Sequence, residues 1–232
     1  MDWPAQCAVV IPCLNEAVAI APLVAEIRLR LPTVIVVDDG SSDTTSALAG
    51  QAGALVIPHA HVRGKGAALQ SGCRRARELG FAWALTMDGD GQHAPGDIPA
   101  LLSAAEKTRA ALVVGNRMAN PAAMPWLRRQ TNRWLSRRLS RLTGRLLSDT
   151  QCGFRLLRLD AWAALALHTT HFEIESEMLV AFIAAGHAIE FVPVQTIYKQ
   201  EQSKIHPLRD AVRWFRWWRQ TRPLNSRHPP PP

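Results

Sequence analysis

Scarcity narrows this sequence first. Its 232 residues include only four cysteines, Cys7, Cys13, Cys73 and Cys152, with neither a CxxC pair nor a metal-ligand spacing among them. That argues against a disulfide scaffold and a structural zinc site, and the four read as reduced thiols suited to a cytoplasmic setting. No signal peptide opens the chain and no apolar stretch reaches the ~18–20 residues of a spanning helix, so any membrane contact is expected to be peripheral. The GxxxxGK[ST] spacing of a P-loop is missing, as are internal repeats. Low complexity is confined to the terminal "RHPPPP". What remains, 47% hydrophobic and 20% charged, is ordinary for a chain that buries a core.

Acid is the other scarcity, and it is local. The net charge is +8, yet residues 124–147 hold seven arginines and no acid, and residues 199–222 hold seven Lys/Arg against Glu201 and Asp210. The rest of the chain is therefore slightly acidic, and the two basic segments point to an anionic partner of their own.

Short apolar runs alternate with amphipathic ones. "CAVVIP" (7–12), "TVIVVDD" (33–39), "ALVIP" (54–58), "AWALTMD" (82–88) and "ALVVG" (111–115) read as buried strands, with helices expected near 17–30, 43–52, 65–79 and 95–107. This rhythm predicts an α/β fold with a mostly parallel central sheet flanked by helices, whose ligands gather at the carboxyl ends of the strands. An arginine-rich helix (125–147), an apolar helix around "ESEMLVAFIAAG" and a strand at "AIEFVPV" follow. One catalytic domain over 1–222 is expected, ending in a basic amphipathic helix (207–222), with 223–232 a disordered proline-rich tail.

The strand ends carry the polar clusters. "PCLNE" places Asn15 and Glu16 after Pro12, where Asn15 can equally cap a helix. "VVDDGSSD" places Asp38 and Asp39 before the tight-turn Gly40; carboxylates there suit ribose hydroxyls or a base edge. "VRGKG" offers glycines and the cations Arg63 and Lys65 at a helix start, where phosphates bind. In "LTMDGDGQH", Asp88 and Asp90 would repel each other unless a cation joined them. Hard divalent ions take oxygen ligands, and Mg²⁺ uses one or two carboxylates plus substrate phosphates, so Asp90 and Gln92 are candidate ligands. His93 is a further candidate ligand, set against the commoner reading of a lone surface histidine with no such role.

In this order and spacing, "PCLNE", "DDGSSD", "GKGAALQSG", "DGDGQH", "GNR" and "DTQCGFR" resemble the inverting family 2 glycosyltransferases of GT-A fold, most of all the dolichyl- or polyprenyl-phosphate mannosyl- and glucosyltransferases. The resemblance covers roughly residues 7–205. It implies a nucleotide-sugar site formed by Pro12, Leu14, Glu16, Val37, Asp39, Asp88, Gly89, Asp90, Gln92, Arg117 and Lys204. Asp88, Asp90 and Gln92 would serve a Mg²⁺ or Mn²⁺ ion and the diphosphate. Asp90 and Arg117 would be central to catalysis. Leu14 departs from the pattern, standing where an aromatic is common, and "YKQEQSK" lacks an arginine before the lysine.

The implied reaction is metal-dependent transfer of a hexose from a nucleoside-diphosphate sugar to a polyprenyl phosphate at the membrane surface, on its cytoplasmic face. A separate membrane subunit is compatible with it. On a helical wheel, Leu208, Ala211, Val212, Trp214, Phe215 and Trp218 share one side of the terminal helix and Arg209, Arg213 and Arg216 the other, a pattern that fits an anionic bilayer surface. Residues 127–146 sort similarly, and their apolar arc fits packing on the protein itself equally well. A phosphate acceptor needs no strong base, and Arg117, Arg129 and Arg133 would position it. A hydroxyl acceptor would need one, with Asp149, Glu173 and Glu175 as candidates. Two rivals stand beside this reading. A nucleic-acid-binding module leaves the strand-end acids unexplained, and a nucleotidyltransferase lacks its glycine-rich loop after the first strand. No nucleic-acid partner is expected.

Overall fold

The computed structural model describes residues 1–121, 124–197 and 207–225. Its first part is a run of α/β units: α1 (Trp3–Gln6), β1 (Cys7–Cys13), α2 (Ala17–Arg28), β2 (Val34–Asp38), α3 (Thr45–Gln51), β3 (Leu55–Pro58), α4 (Lys65–Glu78) and β4 (Trp83–Thr86). Then follow α5 (Ile98–Thr108), β5 (Leu112–Asn116), α6 (Trp126–Thr143), β6 (Arg155–Arg158), α7 (Leu159–Ala163), α8 (Ile174–Ala184), β7 (Ile189–Pro193) and α9 (Pro207–Asn225).

The seven strands form one sheet in the order β3-β2-β1-β4-β6-β5-β7. β1, β2, β3 and β4 are mutually parallel, β5 and β7 are parallel, and β6 runs antiparallel between β4 and β5. The sheet is therefore mostly parallel, as the strand rhythm predicts. β6 is the strand that the rhythm misses, being four residues with arginine at each end.

Helix packing follows periodicity. α2 buries Ala19, Ile20, Leu23, Val24 and Ile27 on one stripe, the i, i+3/i+4 signature of a helix lying on a sheet. α4 approaches β1 so closely that a Cβ at Gly72 would stand 2.3 Å from Val10 Cγ1 and 3.1 Å from Val37 Cγ2. The four cysteines are buried thiols, as their sequence context suggests. Burial pushes the Cys73 and Cys152 thiols up to about 12, so they behave as core hydrophobes.

A second, smaller core joins α6, α8 and α9: Leu139, Leu147, Val180, Trp214, Trp217 and Trp218 are buried together. Trp214 stacks on Trp218, with ring centroids 5.2 Å apart, and donates its indole N–H to Ser176 Oγ at 3.0 Å. This corrects the expectation for the terminal helix. Its tryptophans face the protein, because they have the apolar surface of α6 and α8 to bury against, while Val212 and Phe215 stay exposed. α9 also continues through Asn225, past the expected start of the tail at 223; residues 226–232 lie outside the described residues. Among the described residues no helix is long and apolar enough to cross a membrane.

Candidate active site

The carboxyl ends of β1, β2 and β4 converge through their connecting loops. After β1, Asn15 turns the chain in a left-handed conformation (φ 54°). Its backbone N–H donates to Ser41 Oγ (2.8 Å) and its side-chain oxygen accepts from Ser42 N–H (2.8 Å). Asn15 thus ties two loops together instead of capping α2. Asp43 on the neighbouring loop accepts from Ala17 N–H at 3.2 Å and caps that helix. Pro12, Leu14 and Glu16 are half-buried along this edge. Val37 is not part of it: its side chain is fully buried beneath Gly72, inside the sheet–helix interface.

Asp39 is buried and heavily used. It accepts from Arg63 N–H (3.0 Å), Gly64 N–H (2.7 Å) and His59 Nδ1 (2.7 Å). The other ring nitrogen of His59 lies 3.0 Å from Ser71 Oγ, and because a carboxylate only accepts, Nδ1 is the donor to Asp39. Asp38 accepts from Ser41 N–H at 2.9 Å and shapes the turn. The start of α4 is thereby hung from the end of β2.

The two aspartates after β4 differ sharply. Asp88 meets the Lys65 ammonium at 2.6 Å through one oxygen and His93 Nε2 at 3.2 Å through the other. Burial opposes its charge, but the Lys65 ammonium and His93 overcome that and hold its carboxyl far below the usual carboxylate range. Lys65 also makes a close ionic contact with Glu175, at 2.5 Å. Burial works against its ammonium too, and the charges of Asp88 and Glu175 more than offset it, so its pKa is raised. The phosphate contact expected of Lys65 is therefore replaced by a two-acid grip. Asp90 has one hydrogen bond, from Gln92 N–H at 3.0 Å, and no ion pair among the described residues. Burial and the Asp88 charge push its carboxyl up.

Gly89 lets this loop lie against β1, since a Cβ there would stand 2.6 Å from Cys13 Sγ and 3.2 Å from Glu16 Cγ. Gly153 does the same for Asp88, with a Cβ falling 2.6 Å from its Oδ1. Beyond Gln92, the loop pairs with the segment that leads toward Lys204: Ile197 N–H donates to Gln92 O at 2.9 Å, and His93 forms a β-bridge with Thr196. Lys204 itself lies in 198–206, outside the described residues. His93, read from sequence as a surface residue, is buried.

Arg117, at the end of β5, is held in a bidentate pair by Asp149, Nε at 2.8 Å and Nη2 at 2.9 Å. Asp149 is 0% exposed and also accepts from Arg117 N–H, Asn132 Nδ2 and Gln151 N–H. Burial opposes its charge, and the Arg117 guanidinium with these donors still lowers its pKa. A carboxylate so saturated cannot serve as a base, which removes Asp149 from that role. Glu175 is likewise engaged by Lys65. Glu173, at the start of α8, keeps one buried oxygen without a hydrogen-bond partner among the described residues, as Arg129 does its Nε. Arg133 is exposed.

Two side chains that the sequence did not single out organise this acceptor side. Glu177 accepts from His168 N–H (3.0 Å), Thr169 N–H (2.9 Å) and Thr169 Oγ1 (2.6 Å), fixing the loop before α8. Arg155, 1% exposed, donates to the backbone carbonyls of Cys152, Thr150 and Glu175. Arg155 closes the quoted "DTQCGFR" motif, which gave it no role of its own, and nothing local gave one to Glu177.

The residues left for a divalent ion are thus Asp90 and Gln92, with Asp88 committed to Lys65 and His93. Among the described residues, no three His, Cys, Asp or Glu side chains gather as a metal cage. One under-compensated carboxylate fits Mg²⁺ or Mn²⁺ held mainly by a diphosphate and water.

Known proteins share this fold. The sequence profile of "Glycosyl transferase family 2" matches residues 8–165. A UDP-N-acetylglucosamine–dolichyl-phosphate N-acetylglucosaminyltransferase of Methanococcus voltae is 30% identical over 214 residues, covering 82% of this chain and 85% of its own. An undecaprenyl-phosphate mannosyltransferase of Micrococcus luteus is 29% identical over 206 residues, covering 82% and 83%. Among solved structures, mannosyl-3-phosphoglycerate synthase of Rubrobacter xylanophilus superposes with a TM-score of 0.75 at 19% identity, over 98% of this chain and 78% of its own. Glucosyl-3-phosphoglycerate synthase of Mycobacterium tuberculosis, solved with Mn²⁺, UDP and phosphoglyceric acid, gives 0.71 at 20% identity over 91% and 75%. The fold is that of these GT-A enzymes.

Proposed function

This chain belongs to glycosyl transferase family 2 and is a hexosyltransferase, and on that premise we propose that it moves a hexose from a nucleoside-diphosphate sugar to a polyprenyl phosphate, with inversion and with a divalent cation. The observation that carries the reading is the division of labour in the 88–93 loop. Asp88 is neutralised by protein groups, and Asp90, beside it, lacks a cationic partner among the described residues. Relatives named for dolichyl- and undecaprenyl-phosphate acceptors support the acceptor class.

Pro12, Leu14, Glu16 and Asp39 line the strand ends where the nucleoside would lie, at the switch between loops typical of parallel sheets. Asp39, fixed from three sides, is rigid enough to read a polar edge. Mg²⁺ or Mn²⁺ held at Asp90 with Gln92 beside it would neutralise charge on the departing diphosphate. The bond from the anomeric carbon to the diphosphate oxygen breaks, and that oxygen keeps the electron pair. The bond to the acceptor oxygen forms on the opposite face. A phosphate oxygen is anionic at neutral pH and needs no deprotonation, which agrees with acids that are already engaged at Asp149 and Glu175. Arg117 is neutralised by Asp149, so acceptor positioning falls to Arg129, whose Nε is buried without a hydrogen bond among the described residues, and to the exposed Arg133.

Docking on an anionic membrane surface is supported by exposed Trp126, Leu127, Val212 and Phe215 interleaved with arginines on α6 and α9, and by exposed Leu146 just after α6. An open groove of about 410 Å³ lined by Trp134, Arg138, Trp214, Phe215, Trp218 and Arg219 adjoins them. We place this contact on the cytoplasmic face.

A second reading rests on Glu173. Its buried oxygen, without a hydrogen-bond partner among the described residues, is a group available as a base for a hydroxyl acceptor. The deciding experiment supplies labelled GDP- and UDP-sugars with polyprenyl phosphate in liposomes, with Mg²⁺ or Mn²⁺, beside Asp90→Asn. Label in the lipid phase, dependent on metal and lost in the variant, is expected. Donor consumption without lipid labelling would overturn the phosphate acceptor. Loss in Glu173→Gln of transfer to a hydroxyl glycan would then establish the second reading.

A further inference from the structure

Lys65 stands where three parts of the site meet. It is the first residue of α4, and its N-cap Gly64 has φ +101°. A Cβ at Gly64 would fall 2.4 Å from Thr170 O, and one at Gly66 would fall 2.7 Å from Thr169 O. Ala67 N–H donates to Thr170 O (3.1 Å) and Gln70 Nε2 to Thr169 O (3.1 Å). The start of α4 is thereby clamped to the loop before α8, and Glu177 fixes that loop from its other side.

From this anchored position the Lys65 ammonium reaches Asp88 at 2.6 Å and Glu175 at 2.5 Å, with the Phe172 ring centroid 5.7 Å away. Its side chain is only 14% exposed, so water screens these charges weakly. Neither acid can easily move away. Gly153 packs against Asp88 Oδ1, His93 holds the second oxygen, and Arg155 grips the Glu175 backbone carbonyl at 2.7 Å.

We propose that Lys65 is the positioning residue that gives the two aspartates of the 88–90 loop different tasks. By holding Asp88 against Glu175 it withdraws Asp88 from metal coordination, leaves Asp90 as the metal carboxylate, and fastens the donor loop to the acceptor-side helix. The inference rests on the reading of Asp90 as a metal ligand. It explains why two acids one residue apart do not form a tight cage. With one carboxylate free, Asp90 would hold an ion weakly alone and firmly only together with a diphosphate, so metal and donor would be retained and released together.

The test is Mn²⁺ binding to the nucleotide-free, full-length protein, read by the loss of the free-ion EPR signal. Wild type is expected to bind weakly and Asp90→Asn not at all. Asp88→Asn is expected to stay within about threefold of wild type, because Asp88 is already neutralised. Lys65→Met releases Asp88 and removes a repelling charge, so its Mn²⁺ affinity is expected to rise about tenfold or more while sugar transfer falls. Lys65→Arg keeps the charge and the wild-type Mn²⁺ affinity. A general loosening of the fold would lower binding and transfer together, so their opposite movement identifies the positioning role.

Lys65→Met that folds and binds Mn²⁺ no better than wild type overturns the proposal. So does Asp88→Asn that loses Mn²⁺ as Asp90→Asn does, a comparison that holds even if Lys65→Met fails to fold. Unchanged Mn²⁺ binding in Asp90→Asn would instead remove the metal site itself, a failure distinct from that of Lys65.

Discussion

Replacing Asp149 by asparagine should unfold this protein more readily, and by an amount large enough to measure simply. The carboxylate is fully buried and accepts from Arg117 Nε, Nη2 and N–H, from Asn132 Nδ2 at 2.7 Å and from Gln151 N–H at 3.2 Å. The amide in its place would keep the shape, lose the charge and turn an NH₂ group toward donors. Breaking one side of a buried ion pair costs about 3–5 kcal/mol because the remaining charge is stranded. For a chain of this size each kcal/mol shifts the melting point by about 2–4 °C, so a fall of roughly 6–20 °C is expected, with a matching drop in the urea midpoint. The pH dependence has a definite sign. The Asp149 carboxyl is lowered in the fold, so its contribution is complete above the unfolded value near ~3.9 and is lost as pH falls through the folded one. Wild type and Asp149→Asn should therefore converge in acid. Arg117→Met combined with Asp149→Asn should recover part of the loss, since no charge is then stranded. An Asp149→Asn protein with wild-type melting and abolished turnover would refute this reasoning and restore Asp149 as a base.

Other substitutions probe other parts of the molecule. Trp214→Ala removes the centre of the α6–α8–α9 core and should cost about 3–5 kcal/mol in urea unfolding. Gly66→Ala drives a Cβ toward Thr169 O, a backbone atom, and should destabilise by about 1–3 kcal/mol and lower turnover by displacing Lys65. Val212→Ser, at an exposed position free of the tryptophan cluster, should leave the urea midpoint unchanged and weaken co-sedimentation with anionic vesicles. Added salt should weaken it further.

The parallel strands were legible because each is a short apolar run ending in polar residues, and those ends are where the candidate site lies. β6 was not, since "RLLR" owes its place to Arg155 finding three backbone carbonyls inside the protein, a satisfaction that no local pattern announces. The acid pair was legible as needing a cation. That Asp88 draws it from Lys65 was hidden, because Lys65, Asp88 and Glu175 lie far apart in the chain and meet only when α4 and α8 are packed. The terminal helix misled for a similar reason: a wheel identifies an apolar face but not whether protein or lipid covers it. Trp217, which the wheel left aside, is buried with Trp214 and Trp218.

The antiparallel β6 has a consequence for how the chain is made. It lies between β4 and β5, pairing Thr86 with Arg155 on one side and Val114 with Arg155 on the other. During synthesis β1 to β4 can associate early, but the outer edge of β4 stays unpaired until residues 155–158 arrive. Until then β5 has no neighbour, and β7, which pairs only with β5 among the described strands, has not yet been made. A growing chain thus carries an open sheet edge past the whole arginine-rich α6, and open edges invite pairing with other chains. The positive charge of that helix, arriving before the edge is closed, would keep neighbouring nascent chains apart while the last strands are awaited.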